Sequence, residues 1–179
     1  MDLILLFFII FLALLAPTAY AAYIGAPYAP TFSPAIRKAF DYIKLGPNDT
    51  VIDIGAGDGK VLVAASKRGA KAIGYELSPI MWGIVWFRSL GNRRVKIKLR
   101  NFYKQMLPDA TVVFAFLMPQ NMDKVKKFLA KQVLPNGKYM LVYAFPFKDV
   151  EPQHVIRVER CAPVYIYDLQ KLTKPSKPE

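Results

Sequence analysis

Cysteine and histidine are nearly absent from these 179 residues: Cys161 is the one thiol and His154 the one imidazole. A single cysteine excludes an internal disulfide and any zinc site built on two or more thiolates. A single histidine excludes histidine-rich metal sites and leaves little room for a Ser-His-Asp triad. Acidic side chains are scarce, 13 against 25 Lys and Arg, so the net charge is +12. With a pI near 9.8, the chain favours anionic partners: nucleic acid, acidic protein or a membrane surface. Composition alone does not choose among these. Global disorder is excluded, because 54% of the residues are hydrophobic and 13% aromatic. The length suits one domain rather than two.

Charge is missing altogether between Asp2 and Arg37, and Leu3 to Ala16 is an unbroken apolar run. A secretory signal would have an apolar region of this size, and Ala19-Tyr20-Ala21 offers a small-residue cleavage site. Its positive leading segment is lacking, since the second residue is Asp2. A membrane span needs about 20 apolar residues, and Leu3 to Ile24 supplies them with only Pro17 and Thr18 interrupting. Tyr20 and Tyr23 suit an interface. The expectation is therefore an N-terminal transmembrane anchor over 1–24, a cleaved signal peptide being the alternative. The first downstream charges, Arg37, Lys38 and Lys44, place the following domain on the cytoplasmic side of a single-pass membrane protein.

Residues 25–33 read as a Pro-rich linker, 34–170 as one domain and 171–179 as a disordered tail. Within the domain, helical rhythm covers Pro34 to Lys44, Lys60 to Arg68, Pro79 to Leu90 and Asn121 to Val133. Strands are expected at Thr50 to Ile54, Lys71 to Glu76, Val95 to Leu99, Ala110 to Leu117 and Lys138 to Ala144. A closing pair follows at His154 to Arg160 and Pro163 to Leu169. Strand–helix alternation implies βαβ units and a mostly parallel sheet, an α/β fold whose ligands sit at the carboxyl ends of the strands. The residues after Ile54, Tyr75 and Phe116 are the first place to seek chemistry.

The segment VIDIGAGDGK follows the first strand. A Walker A loop would need glycine where Ile54 stands and Ser or Thr where Val61 stands, so ATP hydrolysis by this loop is rejected. A dinucleotide fingerprint fits Gly55 and Gly57 but meets Lys60 at its sixth position. The spacing is Asp-x-Gly-x-Gly-x-Gly, Asp53 to Gly59. Two readings stand: the turn needs the glycines for its own geometry, or a ligand needs the space. The second strand ends in Glu76, 23 residues after Asp53, where a carboxylate accepts ribose hydroxyls.

Asp53 to Gly59 with Glu76 resembles motif I and the following acidic motif of class I S-adenosylmethionine-dependent methyltransferases. YAPT (Tyr28 to Thr31), the stretch NFYKQMLPDATVVFAFLMP after the third strand and LPNGKYMLVYAFPF resemble a narrower family of protein-lysine methyltransferases. That family includes a broad-specificity archaeal enzyme and membrane-anchored mitochondrial enzymes acting on the c-ring protein of ATP synthase and the adenine nucleotide translocase. The resemblance implies a Rossmann-like class I methyltransferase fold, a mostly parallel seven-stranded sheet with flanking helices, and S-adenosyl-L-methionine as cofactor. It implies cofactor contacts from Thr31, Asp53, Gly55, Ala56, Gly57, Gly59, Glu76, Leu77, Asn101 and Phe102, and no metal. It places Tyr28, Phe116, Met118 and Pro119 at the acceptor side. One departure stands out: the mitochondrial members have a Trp soon after the Phe-Pro element, whereas Phe147-Lys148-Asp149-Val150 continues here.

The residues after the fourth strand disfavour two other classes. Amino-methyltransferases of DNA and glutamine carry Asn/Asp-Pro-Pro-Tyr there; this chain has Phe116-Leu117-Met118-Pro119-Gln120. Cytosine C5 methylation needs a nucleophilic cysteine, and Cys161 lies far down the chain beside a late strand. An apolar aromatic channel, with Tyr28, Phe116, Met118, Phe145 and Phe147 as candidate walls, would favour a neutral lysine. The expected partners are a membrane-associated protein lysine and the bilayer itself. Nucleic acid is disfavoured, because no RNA-binding motif accompanies the basic run Arg93 to Arg100. An RNA or small-molecule methyltransferase and a non-catalytic cofactor-binding module are the alternatives.

Overall fold

A computed structural model describes residues 2–24 and 33–173. Seven strands form one sheet: β1 (Thr50–Ile54), β2 (Lys71–Glu76), β3 (Val95–Leu99), β4 (Val112–Ala115), β5 (Tyr139–Tyr143), β6 (His154–Ile156) and β7 (Val164–Asp168). Their spatial order is β3-β2-β1-β4-β5-β7-β6. β3, β2, β1, β4 and β5 run parallel, while β7 pairs antiparallel with both β5 and β6. The strand order reverses beside β1, so the crevice between the carboxyl ends of β1 and β4 is the switch point where this architecture binds ligands.

The helices follow the sequence rhythm: α1 (Leu3–Ile24), α2 (Ser33–Tyr42), α3 (Lys60–Ser66), α4 (Pro79–Arg88), α5 (Met122–Leu129) and α6 (Leu169–Thr173). Two cores sandwich the sheet. On one face Ile36, Ala39 and Phe40 of α2, Leu62 and Ala65 of α3 and Val85 of α4 pack on Val51, Ala72 and Leu141. On the other face Val125, Phe128 and Leu129 of α5 pack on Ile52, Ile54, Val113 and Met140. β1, β4 and β5 are buried on both faces, which is why their sequence, Asp53 of β1 apart, is apolar on both sides of the strand rather than alternating. β3 is an edge, as its alternation with lysines leads one to expect, and Lys96 points into solvent.

Several elements are shorter than the sequence pattern suggests. β4 covers Val112–Ala115 rather than Ala110 to Leu117, because its pairing with β1 and β5 ends there. α5 ends at Leu129 rather than Val133; Gln132 folds back, its side-chain oxygen accepting from Leu107 N at 2.8 Å. β6 stops at Ile156, ahead of a turn in which Cys161 N donates to Val158 O and Arg160 has φ 58°. α6 is not announced by the pattern at all; Gln170 ties it down by donating to the carbonyls of Leu134 and Gly137, both at 2.9 Å.

α1 is the one helix among the described residues that is long and apolar enough to cross a membrane, by length and composition. Its apolar side chains face outward, from Leu3 at 81% exposure to Leu15 at 43%. Pro17 lies inside it without ending it. Near its end, Thr18 meets α4: the Thr18 hydroxyl donates to Leu14 O at 2.8 Å, so the Ser78 hydroxyl donates to Thr18 Oγ1 across 3.1 Å.

Gly74, in the middle of β2, is where α3 presses closest to the sheet. A Cβ there would lie 2.6 Å from Leu62 Cδ1, 2.8 Å from Ile97 Cδ1 and 2.9 Å from Ala56 Cβ. Gly74→Ala is expected to destabilise the fold by about 1–3 kcal/mol through overpacking. Urea unfolding of the two proteins at equal m-value measures it.

Candidate active site

The loop after β1 is built around the end of β2. Gly55 N and Ala56 N both donate to Tyr75 O, at 3.0 and 2.9 Å, and Gly59 N closes a turn onto Ala56 O at 2.8 Å. Gly55, Gly57 and Gly59 all have positive φ, at 110°, 51° and 77°. Gly59 answers one question left by the sequence. A Cβ there would sit 2.8 Å from Val85 Cγ1, so this glycine is required by the approach of α4 as well as by its own backbone angle.

Glu76 holds the loop in place. Its Oε2 accepts from Gly57 N at 2.8 Å, and its Oε1 accepts from Leu77 N and Ser78 N, each at 2.8 Å. A carboxylate has about four acceptor positions, so three are already engaged with backbone. Ser78 then caps α4, its hydroxyl accepting from Met81 N at 3.2 Å with Pro79 in the first turn. The Ser-Pro pair suits a helix start, and the Ser78 backbone N–H ties that start to the glycine loop through Glu76.

Asp58 fixes the far side of the loop. It forms ion pairs with Arg88 at 3.0 Å and Lys60 at 3.1 Å, and Arg88 also donates to the Asp58 carbonyl. Burial pushes the Asp58 carboxyl up, but hydrogen bonds from Arg88 and Lys60 outweigh it and hold the group below its ordinary range. Arg88 is a site-organising residue that sequence reasoning missed; the partner that reveals it is 30 positions away.

Asp53 is different. It is 1% exposed, and its Oδ1 has no hydrogen-bond partner among the described residues. Burial raises its pKa well above the usual carboxylate value, and the neighbouring charges of Glu76 and Asp58 raise it further. An acidic oxygen buried beside two other carboxylates, one of them already neutralised by Arg88 and Lys60, calls for a donor, and a cationic one above all.

At the neighbouring strand ends the surface turns aromatic. Phe116 follows β4, half-buried, edge-on to Tyr143 at 4.9 Å and stacked toward Phe145 at 6.4 Å. Ala144 sits between those two rings at φ 71°, and Phe145 N donates to Tyr143 O at 3.0 Å. This three-residue turn is strained, and it turns Phe145 back over Phe116. The Tyr143 hydroxyl is buried without a hydrogen-bond partner among the described residues.

Met118 and Pro119 open the 3₁₀ turn Pro119–Asn121, Met118 partly covered and Pro119 exposed. Asn101 caps another such turn, accepting from Tyr103 N at 3.0 Å, and Phe102 beside it is buried against Tyr103 and Phe128. Ala56 is buried in the glycine loop, and Leu77 is half-buried beyond Glu76. Phe147, a candidate channel wall, goes to the core instead, packed on Tyr167 at 5.0 Å with its N–H donating to the Tyr167 hydroxyl at 3.0 Å. Tyr28 and Thr31 lie outside the described residues.

Residues 53–154, the span from Asp53 to the edge strand β6, match the ANTKMT methyltransferase domain. The chain belongs to this methyltransferase family. It is 30% identical over 138 residues to a protein-lysine N-methyltransferase of Saccharolobus islandicus, covering 74% of this chain and 85% of that one. It is 29% identical over 156 residues to the ATP synthase C-subunit lysine N-methyltransferase of Xenopus laevis, covering 84% of this chain and 66% of the frog protein. Its fold is that of class I methyltransferases: an RNA methyltransferase from Salinibacter ruber superposes with a TM-score of 0.74 at 22% identity, covering 84% of this chain and 97% of that one. The matched span of the methyltransferase contains the whole loop assembly of Asp53, Asp58, Glu76 and Arg88.

Asp53 generates a pH dependence of known sign. Its pKa in the unliganded fold lies above the unfolded value near 3.8. Its contribution to stability is therefore full below pH 3.8 and is lost as pH rises through the folded pKa. Asp53→Asn removes that loss. The unliganded variant is expected to be more stable than wild type at pH 7, with the difference shrinking toward pH 4. Urea unfolding across that range measures it; a wild type that gains on the variant as pH rises would contradict the assignment.

Proposed function

We propose that this methyltransferase transfers a methyl group from S-adenosylmethionine to lysine side chains of proteins, and that its acceptors lie beside a membrane. The observation that carries the cofactor reading is Asp53: a buried carboxylate oxygen without a donor among the described residues, leading into a glycine loop, suits the cofactor's ammonium group. Gly55 to Gly59 would hold its amino-acid moiety and Glu76 its ribose, using the acceptor position left over from three backbone N–H groups. Asn101 and Phe102 would flank the adenine, with Thr31, Ala56 and Leu77 completing the contacts. When bound, the cofactor supplies an electrophilic methyl carbon on a sulfonium, and transfer leaves a thioether.

The lysine reading rests on the family's relatives and on the aromatic mouth. A free lysine has a pKa near 10.4, so presenting it neutral at pH 7 costs about 4.6 kcal/mol. Phe116, Tyr143 and Phe145 at the ends of β4 and β5 form walls that disfavour an ammonium by desolvation, with Tyr28, Met118 and Pro119 proposed around the same opening. The amine proton leaves to solvent before attack. Holding the amine in line with the methyl group then supplies much of the rate.

Membrane placement rests on α1, read as a single-pass anchor with the catalytic domain on the cytoplasmic side. Thr18, near the end of α1, touches Ser78 two residues beyond Glu76. The cofactor edge of the sheet would therefore lie close to the bilayer, and confinement raises the effective concentration of membrane-protein lysines.

Full-length protein incubated with methyl-labelled cofactor and membrane extract tests the reading: label is expected in protein, on lysine. Glu76→Ala is expected to weaken cofactor binding by about 1–3 kcal/mol. Phe116→Ala is expected to lower turnover about tenfold or more, about 1.4 kcal/mol, with cofactor affinity little changed. Label confined to RNA or small molecules would refute the lysine acceptor and leave the cofactor assignment standing.

A further inference from the structure

The inner side of α4 clamps the glycine loop through Val85 and Arg88, but its outer side has no such partner among the described residues. Ile80 and Ile84 are each 39% exposed, Trp86 52%, Phe87 73% and Leu90, just past the helix, 55%. Ile80, Ile84 and Phe87 recur at helical spacing on one stripe, with Trp86 and Leu90 four apart beside it. Gly83 sits in that stripe with open space around it, so Ile80, Gly83, Ile84, Phe87 and Arg88 line a shallow groove. Such a contiguous apolar surface marks a binding face rather than the scatter of a normal protein surface.

Three observations decide what covers it. First, α1 packs on α4, and Thr18 meets Ser78, the N-cap of α4, at 3.1 Å. Thr18 is two residues from the end of the apolar span Leu3–Tyr20, about 3 Å along a helix of 1.5 Å rise. That span of 18 residues is about 27 Å long, close to the hydrocarbon thickness, so Thr18 lies at the depth of the interface rather than the bilayer centre. α4 thus begins where a membrane-spanning α1 emerges. Second, the charge that the chain itself carries through and beyond α4 has one sign. From Leu77 to Pro108 the chain carries seven Lys and Arg and no Asp or Glu, and Arg93 and Arg94 follow α4 directly. Third, the exposed residues are of the interfacial kind: a Trp, a Phe and aliphatics bordered by arginine.

We propose that the outer face of α4 is a second membrane contact, lying in the boundary between headgroups and acyl chains of an anionic bilayer. This rests on reading α1 as a membrane span. Trp86, Phe87 and Leu90 dip into the acyl boundary, while Arg93 and Arg94 meet the phosphates. The domain is then held by two contacts rather than hung from a flexible tether, and its orientation toward the surface is fixed.

Trp86 reports on this directly, because Trp82 is the only other tryptophan. A Trp82→Phe full-length chain is reconstituted into phosphatidylcholine–phosphatidylglycerol vesicles, with bromine on the upper acyl chain in one set. The expected result is loss of most Trp86 emission in the brominated vesicles, a blue-shifted spectrum and protection from aqueous acrylamide. A spin label at Phe87→Cys on a Cys161→Ala background should give the same depth without touching Trp82. Trp86 quenched by acrylamide and not by bromine, in a chain that resists carbonate extraction, would overturn the proposal while leaving α1 in the membrane. A chain released by carbonate would overturn both. Trp86 shielded from both quenchers, with cross-linking between copies at Phe87→Cys, would assign the face to a second copy and overturn the lipid contact.

Discussion

Three backbone N–H groups converge on one side chain, and the rest of the site depends on that convergence. Glu76 ends β2, yet its carboxylate reaches Gly57 in the loop after β1 and Leu77 and Ser78 at the start of α4. A single residue therefore sets the height of the glycine loop, the entry angle of α4 and the relation between them. Charge-assisted hydrogen bonds of this kind are stronger than neutral ones. Here they hold backbone that no strand or helix ladder supports. Gly55 and Ala56 hang on Tyr75 O at the same strand end, while Asp58 to Arg88 and Gly59 against Val85 run to α4. The site is thus a loop held between a strand end and a helix.

The local charge of the site opposes that of the whole chain. A protein of net charge +12 gathers Asp53, Asp58 and Glu76 around one loop. Asp58 is compensated by Arg88 and Lys60, but Asp53 is not, and its raised pKa expresses the conflict among like charges in a dry place. Tension of this sort is what a preorganised site for a cation would store. At the ends of β4 and β5 the walls become aromatic and uncharged, surroundings that would favour the neutral form of an arriving ammonium. Under the proposed reading the two halves of the crevice would favour opposite charge states, as methyl transfer from a cationic donor to a neutral amine requires.

Much of this was legible in the sequence, and the reasons are specific. β1, β4 and β5 are buried on both sides, so their apolar runs stand out, and Asp53 and Glu76 mark the ends of two of the parallel strands. The interpretation of the glycines was only half legible: spacing located the loop, but that Gly59 makes room for Val85 depends on a helix 26 residues on. Arg88 and Tyr143 were not legible as site residues for the same reason, since their roles arise from contacts made after folding. Element lengths were overestimated wherever an apolar run continued past its last hydrogen-bonded partner, as at Phe116 after β4 and Val133 after α5. Phe145 and Phe147 were both read as candidate channel walls. After the strained turn at Ala144, Phe145 lies over Phe116, whereas Phe147 packs on Tyr167 in the core.

The two margins of the sheet have a consequence of their own. On one side β3 presents alternate lysines, and on the other β6 is only three residues long. Neither offers the long, flat, apolar edge to which a strand from another molecule adds. Molecules restricted to a surface diffuse in two dimensions and meet one another far more often than in free solution. Were α1 to hold the chain at a membrane as proposed, blunt margins would let such a population crowd together without polymerising through its sheets.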